Sequence, residues 1–566
     1  MDVEYLQLIL EKVFTVVVQK LTCFKNHIND ACVDMEPWLL IFSTAVATFL
    51  FVYFRNVCRR LYEEGLKQQV LYFLRHLPII KQGVAKKLKE TTDEIEKQVQ
   101  AGIDVVYHQK LPKQSYKPEA IIDTIKKYSS YGHYSFKDGY VSGTVYLGND
   151  AKLGTLMKDV YGLTAYTNPL HPDVFPGSRI MEAEVVQMVS SLFKATESVG
   201  TVTSGGTESI FLVCKAYRDY AKFEKGIRDP NMVIPITAHA GFDKAAHMLK
   251  IKVKHVPFDP ETTKVNMKAM KKAIDKNTIM LVGSAPAFPH GSIDPIEAIG
   301  QLGYKKSIPV HVDACLGGFL IPFMEQAGFK IPAFDFSVRG VTSISCDTHK
   351  YGYAPKGTSV ILYKEKKYRH HQFSVQPNWP GGIYGTPNLS GSRSGGLIAT
   401  CWASLLYHGE ENYIECTRKI MSVAKYIEKG LRKIEGIHIV GKPDVSVIAI
   451  GSEVFDVYRL TSSLTEKGWN LNVLQYPSAF HICLTMQHTY EGVADRFLSD
   501  VEECTKDILK TPGVPTSGRA AIYGMAQQIP DRSLVSEITW AYLDACYSTM
   551  SVEKTTKHVQ NGNVTH

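Results

Sequence analysis

Several signatures that would assign this chain to common functional classes are missing from its sequence. The 566 residues include 11 cysteines, an odd number, and no two of them form a C-x-x-C pair. This pattern argues against a structural zinc site and against a disulfide-rich secreted protein, so no metal is predicted. The 64 basic and 56 acidic side chains leave a net charge of only +8, and no compact nucleic-acid-binding motif is present. A nucleic-acid partner is therefore not predicted either.

Long apolar runs are also scarce, with one clear case near the N-terminus. Trp38 to Phe54 reads WLLIFSTAVATFLFVYF and carries no charged side chain. As an α-helix it would be about 26 Å long, close to the hydrocarbon thickness of an endoplasmic reticulum bilayer. Trp38 and Tyr53 suit the two membrane interfaces. We predict a transmembrane helix over residues 37–54; the alternative is a buried core helix.

The basic residues around this segment are unequally distributed. Two lie within twenty positions before it (Lys20 and Lys25) and four within twenty positions after it (Arg55, Arg59, Arg60 and Lys67). Since the more basic flank faces the cytosol, residues 1–36 are predicted to be lumenal and the rest of the chain cytosolic. The prediction is a single-pass protein of the endoplasmic reticulum membrane.

The remainder of the chain divides by pattern into segments of different character. Residues 1–36 contain an amphipathic stretch that suits a membrane surface or a short packed helix equally. Residues 55–115 are basic and helix-prone, and are predicted to form a juxtamembrane segment. Residues 116–405 alternate strand-like and helical patterns, as expected of an α/β domain with a mostly parallel, doubly wound sheet. Residues 406–550 predict a smaller α+β domain, and the polar tail 551–566 is predicted to be disordered.

Six apolar runs in residues 116–405 are predicted strands. They are Met232–Ile236, Ile251–Val256, Ile279–Gly283, Ile308–Asp313, Val341–Cys346 and Ser359–Tyr363. In such a sheet, ligands bind at the carboxyl ends of the strands. The residues that follow these runs are therefore the candidates for chemistry.

Two of these strand ends carry a matched pair of charged residues. Lys350 follows Val341–Cys346, and a lysine amine at that place can form a covalent bond with a carbonyl cofactor. Asp313 ends the preceding strand, where a carboxylate is costly unless it meets a cation such as a pyridinium nitrogen. A lone lysine is more often a solvated surface group. Together the two residues indicate pyridoxal 5'-phosphate (PLP).

Two further strand ends add groups suited to this cofactor. In Thr203-Ser-Gly-Gly-Thr207, Gly205 and Gly206 would let backbone N–H groups approach a phosphate at a helix N-terminus; a plain helix cap is the alternative. His239 follows Met232–Ile236 and could stack on a ring or transfer protons; a loop histidine without function is the alternative. Jointly, the four strand ends predict a cofactor pocket.

These motifs resemble those of a known family. Four segments are similar to the group II PLP-dependent decarboxylase family of fold type I: Thr203–Ser209, Ala238–Ala240, His311–Ala314 and Asp347–Lys350. Longer segments look more like the branch of that family that cleaves phosphorylated long-chain bases: Ser142–Tyr146, Asn168–Gly177, His349–Gly357 and Gly381–Tyr384. The resemblance runs from about residue 116 to 545, and the N-terminal anchor suits the same branch.

The resemblance implies roles for individual residues. It makes Lys350 the covalent attachment point, Asp313 the partner of the pyridine nitrogen and His239 the residue that stacks on the ring. Further cofactor contacts are implied for Gly206, Thr207, Asn168, His349 and Ser392, the last reaching the site from the second subunit of a homodimer. Substrate-phosphate or proton-transfer roles are implied for Tyr146, His171, Lys356 and Tyr384. Phe288 is given no proton role.

The implied reaction is a retro-aldol cleavage of the C2–C3 bond of a phosphorylated sphingoid base, giving phosphoethanolamine and a long-chain aldehyde. The general base is left open among Lys356, His239, a tyrosine and a phosphate oxygen. One alternative is an amino-acid decarboxylase, which would explain neither the anchor nor the pair Lys356 and His171. The other is a catalytically inactive membrane adaptor, against which the retention of Lys350 with Asp313 argues.

Overall fold

The computed structural model describes residues 19–20, 22–26, 29–30, 32–64, 78–103, 105–145, 149–515 and 532–549. The chain forms two compact units, one of residues 1–117 with 528–566 and one of residues 118–527. The predicted division differs at the C-terminus, because residues 528–550 were expected to belong to the small α+β domain. The other predicted domain boundaries stay predictions.

Helices dominate the first part of the chain, and strands join them from residue 200 onward. The helices are α1 Pro37–Glu64, α2 Pro78–Gln100, α3 Pro118–Ser129, α4 Ala151–Thr164, α5 Pro176–Leu192, α6 Gly206–Lys225, α7 Gly241–Leu249, α8 Met267–Ala273, α9 Ile296–Lys306, α10 Ile321–Met324, α11 Lys366–His370, α12 Gly395–Leu431, α13 Val457–Glu466, α14 Val493–Leu509 and α15 Arg532–Tyr547. The strands are β1 Gly200–Thr203, β2 Asn231–Pro235, β3 Lys252–Val256, β4 Thr278–Ser284, β5 Val310–Asp313, β6 Val341–Cys346, β7 Ser359–Tyr363, β8 Ser374–Gln376, β9 Tyr384–Thr386, β10 His438–Ile439, β11 Val447–Gly451, β12 Asn472–Leu474 and β13 Ala479–Cys483.

The smaller unit contains the apolar helix anticipated from the sequence. Within α1, the stretch Pro37–Cys58 contains an 18-residue window with a mean hydropathy of 1.8, and none of that window is buried. A helix of this length and composition can cross a membrane. In the same unit α15 packs along α2, with Ala545 buried and Ser548 Oγ 3.5 Å from Glu96 Oε1. This packing is the physical reason why α15 groups with the N-terminal residues.

The larger unit is built on a seven-stranded sheet of order β1-β7-β6-β5-β4-β2-β3. Strands β2 to β6 pair in parallel, whereas β7 is antiparallel to both β1 and β6. All seven residues of β4 are buried, as expected when helices cover both faces of a parallel sheet. The predicted mostly parallel, doubly wound α/β fold is confirmed. The carboxyl ends of β1, β2, β5 and β6 share one edge.

A second sheet of four antiparallel strands, in the order β10-β11-β13-β12, follows the long helix α12. Helices α13 and α14 pack with it around a core that includes Trp469, Phe480 and Phe497. The smaller α+β architecture predicted for this region is therefore present. The sequence pattern predicts a strand over His481–Met486; the structure instead has β13 over Ala479–Cys483, and Met486 begins a 3₁₀ turn.

Candidate active site

The carboxyl end of β6 carries a buried ion pair. After Cys346 the chain turns, and the backbone N–H of Lys350 donates to the carbonyl of Asp347. The Lys350 Nζ lies 2.9 Å from Asp347 Oδ2, and the Asp347 side chain is only 2% exposed. Burial by itself would lower the pKa of Lys350, but the Asp347 carboxylate, with Asp313 contributing, raises it above its usual value. Lys350 is thus held protonated.

The carboxyl end of the neighbouring strand β5 carries Asp313. Its Oδ1 accepts hydrogen bonds from the backbone N–H of Cys315 at 3.0 Å and from Ser345 Oγ at 3.3 Å. Burial raises the pKa of Cys315, and the charges of Asp313 and Asp347 raise it further, so this thiol stays protonated. Cys315 therefore lies between the two carboxylates.

The loop between β1 and α6 closes against the same place. A Cβ added to Gly206 would lie 2.9 Å from both Asp347 carboxylate oxygens and 2.8 Å from Cys315 Sγ. A Cβ added to Gly205 would lie 3.5 Å from the His349 ring. Only residues without a side chain let the N-terminus of α6 approach Asp347 this closely. The adjacent Thr207 is exposed.

Two further side chains of the same segment surround the ion pair. His349 Nε2 lies 3.6 Å from Asp347 Oδ2, and burial lowers the pKa of this imidazole despite that carboxylate. Lys356 Nζ donates to the backbone carbonyl of His349 at 3.2 Å. Burial and the positive charge of Lys350 both lower the pKa of Lys356. Gly352 and Pro355 between the two lysines favour a turn over a helix, and the chain indeed returns so that Lys356 reaches the carbonyl of His349.

A second region of the candidate site contains Asn168 and Ser392. Asn168 Nδ2 donates to Ser392 Oγ at 3.1 Å, and Asn168 Oδ1 accepts from the backbone N–H of Arg393 at 3.2 Å. Arg393 in turn forms a two-point ion pair with Glu182, with N···O distances of 2.5 and 2.9 Å. The Tyr384 hydroxyl lies against Gly391, 2.5 Å from where a Cβ would stand.

A cavity borders the second region and extends to the β1–α6 loop. It has a volume of about 170 Å³ and is lined by Ser204 of the β1–α6 loop, by Gly357 next to Lys356, and by Ser392 with Arg393. Ser392 thus faces the predicted phosphate loop of its own chain. That Ser392 contacts the site of a second subunit stays a prediction.

The described contacts do not connect every predicted residue to Lys350. His239 is exposed at the start of α7, where its Nδ1 accepts the backbone N–H of Gly241 at 3.0 Å. His171 is also exposed and lies beside Asn168, to whose carbonyl its backbone N–H donates. Tyr146 lies outside the described residues. Phe288 is 42% exposed and contacts the His481 ring.

Two features of the site were missed at the sequence level. Asp347 belongs to the Asp-Thr-His-Lys motif but was assigned no role, although a carboxylate three residues before the key lysine is a usable signal. The Glu182–Arg393 ion pair joins residues far apart in the chain, and nothing in the local pattern indicates it.

The residues present suit PLP. The glycine cradle at the N-terminus of α6 can hold a phosphate, Lys350 supplies the amine and Asp313 an acceptor for a ring nitrogen. Among the described residues, Asp347 Oδ1 is buried without a hydrogen-bond partner, as expected of an acceptor that meets a ligand. Fold and site define a PLP-dependent enzyme of fold type I.

Comparison with known proteins narrows this class. Residues 106–451 match the family model described as the pyridoxal-dependent decarboxylase conserved domain. A sphingosine-1-phosphate lyase of Drosophila melanogaster is 50% identical over 529 residues, covering 93% of this chain and 97% of that protein. Sphingosine-1-phosphate lyase 1 of Rattus norvegicus is 47% identical over 532 residues, 93% of each chain. The chain belongs to the pyridoxal-dependent decarboxylase family and, within it, to the sphingosine-1-phosphate lyases.

A solved structure agrees with this assignment. The sphingosine-1-phosphate lyase of Burkholderia pseudomallei superposes with a TM-score of 0.70 at 37% identity, covering 76% of this chain and 98% of that one. The glutamate decarboxylase of Lactobacillus brevis, at 22% identity and a TM-score of 0.60, shares the fold. PLP is therefore the cofactor of this chain, as the sequence predicted.

Proposed function

We propose that this protein is a PLP-dependent lyase that cleaves the C2–C3 bond of sphingosine 1-phosphate and related phosphorylated long-chain bases. The products are phosphoethanolamine and a long-chain aldehyde. The observation that carries the proposal is a second ammonium near the attachment lysine: Lys356 Nζ donates to the carbonyl of His349, the residue before Lys350, in a chain 50% identical to a named lyase over 93% of its length. An amino-acid decarboxylase would have no use for a phosphate-binding cation there.

We assign the cofactor-holding residues from the sequence motifs, supported by the closeness of Lys350, Asp347, Cys315 and Gly206. Lys350 would attach PLP covalently, and the Asp313 carboxylate would accept a hydrogen bond from the protonated pyridine nitrogen. Gly206 and Thr207 hold the phosphate at the N-terminus of α6, where backbone N–H groups and the helix dipole favour an anion. His239 stacks on the ring. Further cofactor contacts are assigned to Asn168, His349 and Ser392.

The protein's own side chains transfer protons and stabilise charge. PLP, when bound, supplies an electron sink for the electron pair left on C2. The C3 hydroxyl must lose a proton, and Lys356, whose pKa is lowered by burial and by Lys350, is one candidate base; His239, a tyrosine and a phosphate oxygen are the others. Lys350, when released, is protonated beside Asp347 and holds a proton for C2.

The substrate phosphate requires cations and hydrogen-bond donors. We assign it to Lys356, His171 and Tyr146, and place Tyr384 as a further catalytic group. Support comes from Lys356, whose ammonium is close enough to Lys350 for the charge of Lys350 to lower its pKa. An anion bound there would offset the repulsion between the two cations and accept a charge-assisted hydrogen bond from Lys356.

We also propose that the chain is a single-pass protein of the endoplasmic reticulum membrane and a homodimer with shared active sites. Residues 1–36 would be lumenal and the catalytic unit cytosolic. Support comes from the unburied apolar stretch of α1 and from the excess of Lys and Arg that follows it. Protease added to intact microsomes should digest the catalytic unit and spare an N-terminal tag; protection of the catalytic unit would contradict the orientation.

Substrate comparison tests the function directly. Detergent-solubilised, PLP-loaded protein is incubated with sphingosine 1-phosphate, with sphingosine and with amino acids, and aldehyde and carbon dioxide are measured. Sphingosine, which lacks the phosphate, should have a lower kcat/KM than sphingosine 1-phosphate. The decrease should correspond to a loss of roughly 2–5 kcal/mol of transition-state stabilisation. Release of carbon dioxide from amino acids without cleavage of the phosphorylated base would establish the decarboxylase instead.

A further inference from the structure

A row of polar side chains crosses the core of the central sheet and ends at Asp313. His311 and Asp313 lie two residues apart on β5, so their side chains project from the same face. Ser343 and Ser345 stand beside them in register on β6. His311 and both serines are fully buried. Burying polar groups costs free energy unless each one is hydrogen-bonded, so the row requires an explanation.

The row is one continuous chain of hydrogen bonds. His311 Nε2 lies 3.1 Å from Ser345 Oγ, and Ser345 Oγ donates to Asp313 Oδ1 at 3.3 Å. On the other side His311 Nδ1 lies 2.8 Å from Ser343 Oγ, to which the Tyr217 hydroxyl donates at 2.7 Å. One proton assignment satisfies every group: the His311 proton is on Nε2, and all donors point toward the Asp313 carboxylate.

A neutral His311 is consistent with hydrogen bonds that all point toward Asp313. Burial lowers its pKa to about 4, although Asp313 opposes the shift. The imidazole is therefore neutral at physiological pH. An imidazolium would compete with the cofactor ring for Asp313, whereas a neutral donor chain stabilises the ionised carboxylate without competing.

The surroundings keep the imidazole in place. The Phe242 ring meets the His311 ring edge-on at 5.9 Å between centroids. Phe242 lies in the first turn of α7, directly after the segment that carries His239. His311 thus contacts helix α7, which begins just after the predicted ring-stacking residue His239. His311 also belongs to the chain of hydrogen bonds that ends at Asp313.

We propose that His311 is a positioning residue that acts through Ser345 to hold the Asp313 carboxylate directed at the pyridine nitrogen of PLP. The role concerns cofactor binding, and it needs no substrate. Its failure would leave the proposed lyase reaction untouched.

Three variants of the full chain test this role. His311→Leu removes both ring nitrogens at similar volume, whereas His311→Gln keeps an amide N–H that can reach Ser345. His488→Leu is the matched control, because His488 is equally buried and hydrogen-bonded to Thr485 but lies in the small α+β region. PLP affinity of each apoprotein is measured by fluorescence titration, and the absorption spectrum of bound PLP is followed against pH.

His311→Leu should weaken PLP binding by up to about tenfold, as for the loss of a buried hydrogen bond that supports the next one, and should move the midpoint of the spectral pH titration. His311→Gln should stay within about threefold of wild type, and His488→Leu should change neither quantity. Wild-type affinity and midpoint in His311→Leu, or a glutamine variant as weak as the leucine variant, would overturn the proposal.

Ser345→Ala covers the case in which His311→Leu does not fold. It deletes one hydroxyl and cuts the link to Asp313 while leaving His311 in place. Weaker PLP binding and a shifted midpoint of the spectral pH titration in Ser345→Ala would support the proposal. Wild-type values of both quantities would refute it.

Discussion

The two regions of the candidate site are held in different ways. Around Lys350 the groups are charged and buried, with Asp347 only 2% exposed and a helix N-terminus closed against it. Around Ser392 the hydroxyl and amide groups are neutral and joined by single hydrogen bonds, and Ser392 and Tyr384 are exposed; the Glu182–Arg393 ion pair lies next to them. A buried charge without its partner is far more costly than a lost exposed hydrogen bond. Substitutions should therefore be much more damaging in the first region.

The largest effect is expected for Lys350→Ala. The substitution removes the only amine that the proposal attaches to PLP, so turnover and the visible absorbance of lysine-bound cofactor should both disappear. Borohydride reduction of wild-type protein followed by peptide mapping should label Lys350. A label on another lysine would remove the basis of the comparison, since the buried region would then not be the attachment site.

Asp347→Asn should be the next most damaging change. It leaves the Lys350 ammonium buried without its carboxylate, which typically costs about 3–5 kcal/mol. The loss should appear as a lower free energy of unfolding of the apoprotein in urea, and should be smaller when PLP occupies Lys350. Asp335→Asn is the control, since this buried carboxylate pairs with a largely exposed lysine, Lys194. Equal losses of unfolding free energy in Asp347→Asn and Asp335→Asn would contradict the idea that Asp347 compensates a buried ammonium.

Lys356→Ala tests the mouth of the buried region. We expect a loss of about 2–5 kcal/mol in transition-state stabilisation toward the phosphorylated base, as for truncation of one side of a charge pair. The absorbance of bound PLP should survive, because Lys350 and Asp313 are unchanged. The exposed Lys276 gives the control Lys276→Ala. If Lys356→Ala had the kcat/KM of the wild type, Lys356 would not bind the substrate phosphate.

The smallest effect is expected for Ser392→Ala. It deletes a single hydrogen bond with Asn168 at 3.1 Å, which is worth about 0.5–1.5 kcal/mol. PLP affinity should fall by no more than that amount, with Ser191→Ala as the control for an exposed serine. A loss of PLP-binding free energy in Ser392→Ala as large as the loss of unfolding free energy in Asp347→Asn would contradict the contrast between the two regions. It would show that Ser392 contacts the cofactor itself.

Much of the sheet could be predicted because its strands are apolar runs bounded by polar or turn-forming residues. Val341–Cys346 and Ser359–Tyr363 have the predicted bounds, and the other predicted strands of this sheet shift by one or two residues. The hairpin β8–β9 was not predicted. Each of its strands has three residues, too few to show an alternating pattern.

The site was predictable where chemistry follows a strand end and not where it depends on long-range packing. Gly352 and Pro355 indicated the turn that returns Lys356 toward Lys350. The burial of Asp347, by contrast, depends on Gly206 and Cys315 closing around it, and no local pattern records that contact. The same holds for α15, whose packing partner α2 lies hundreds of positions earlier in the chain.

The raised pKa of Lys350 has a consequence for how the enzyme matures. An amine must lose its proton before it can attack a carbonyl, and Asp347 retains that proton in the cofactor-free protein. The unprotonated fraction then grows about tenfold for each unit of pH through the neutral range. Covalent loading of the apoprotein should therefore accelerate from pH 7 to pH 9, which the rise in absorbance of the lysine-bound cofactor would measure.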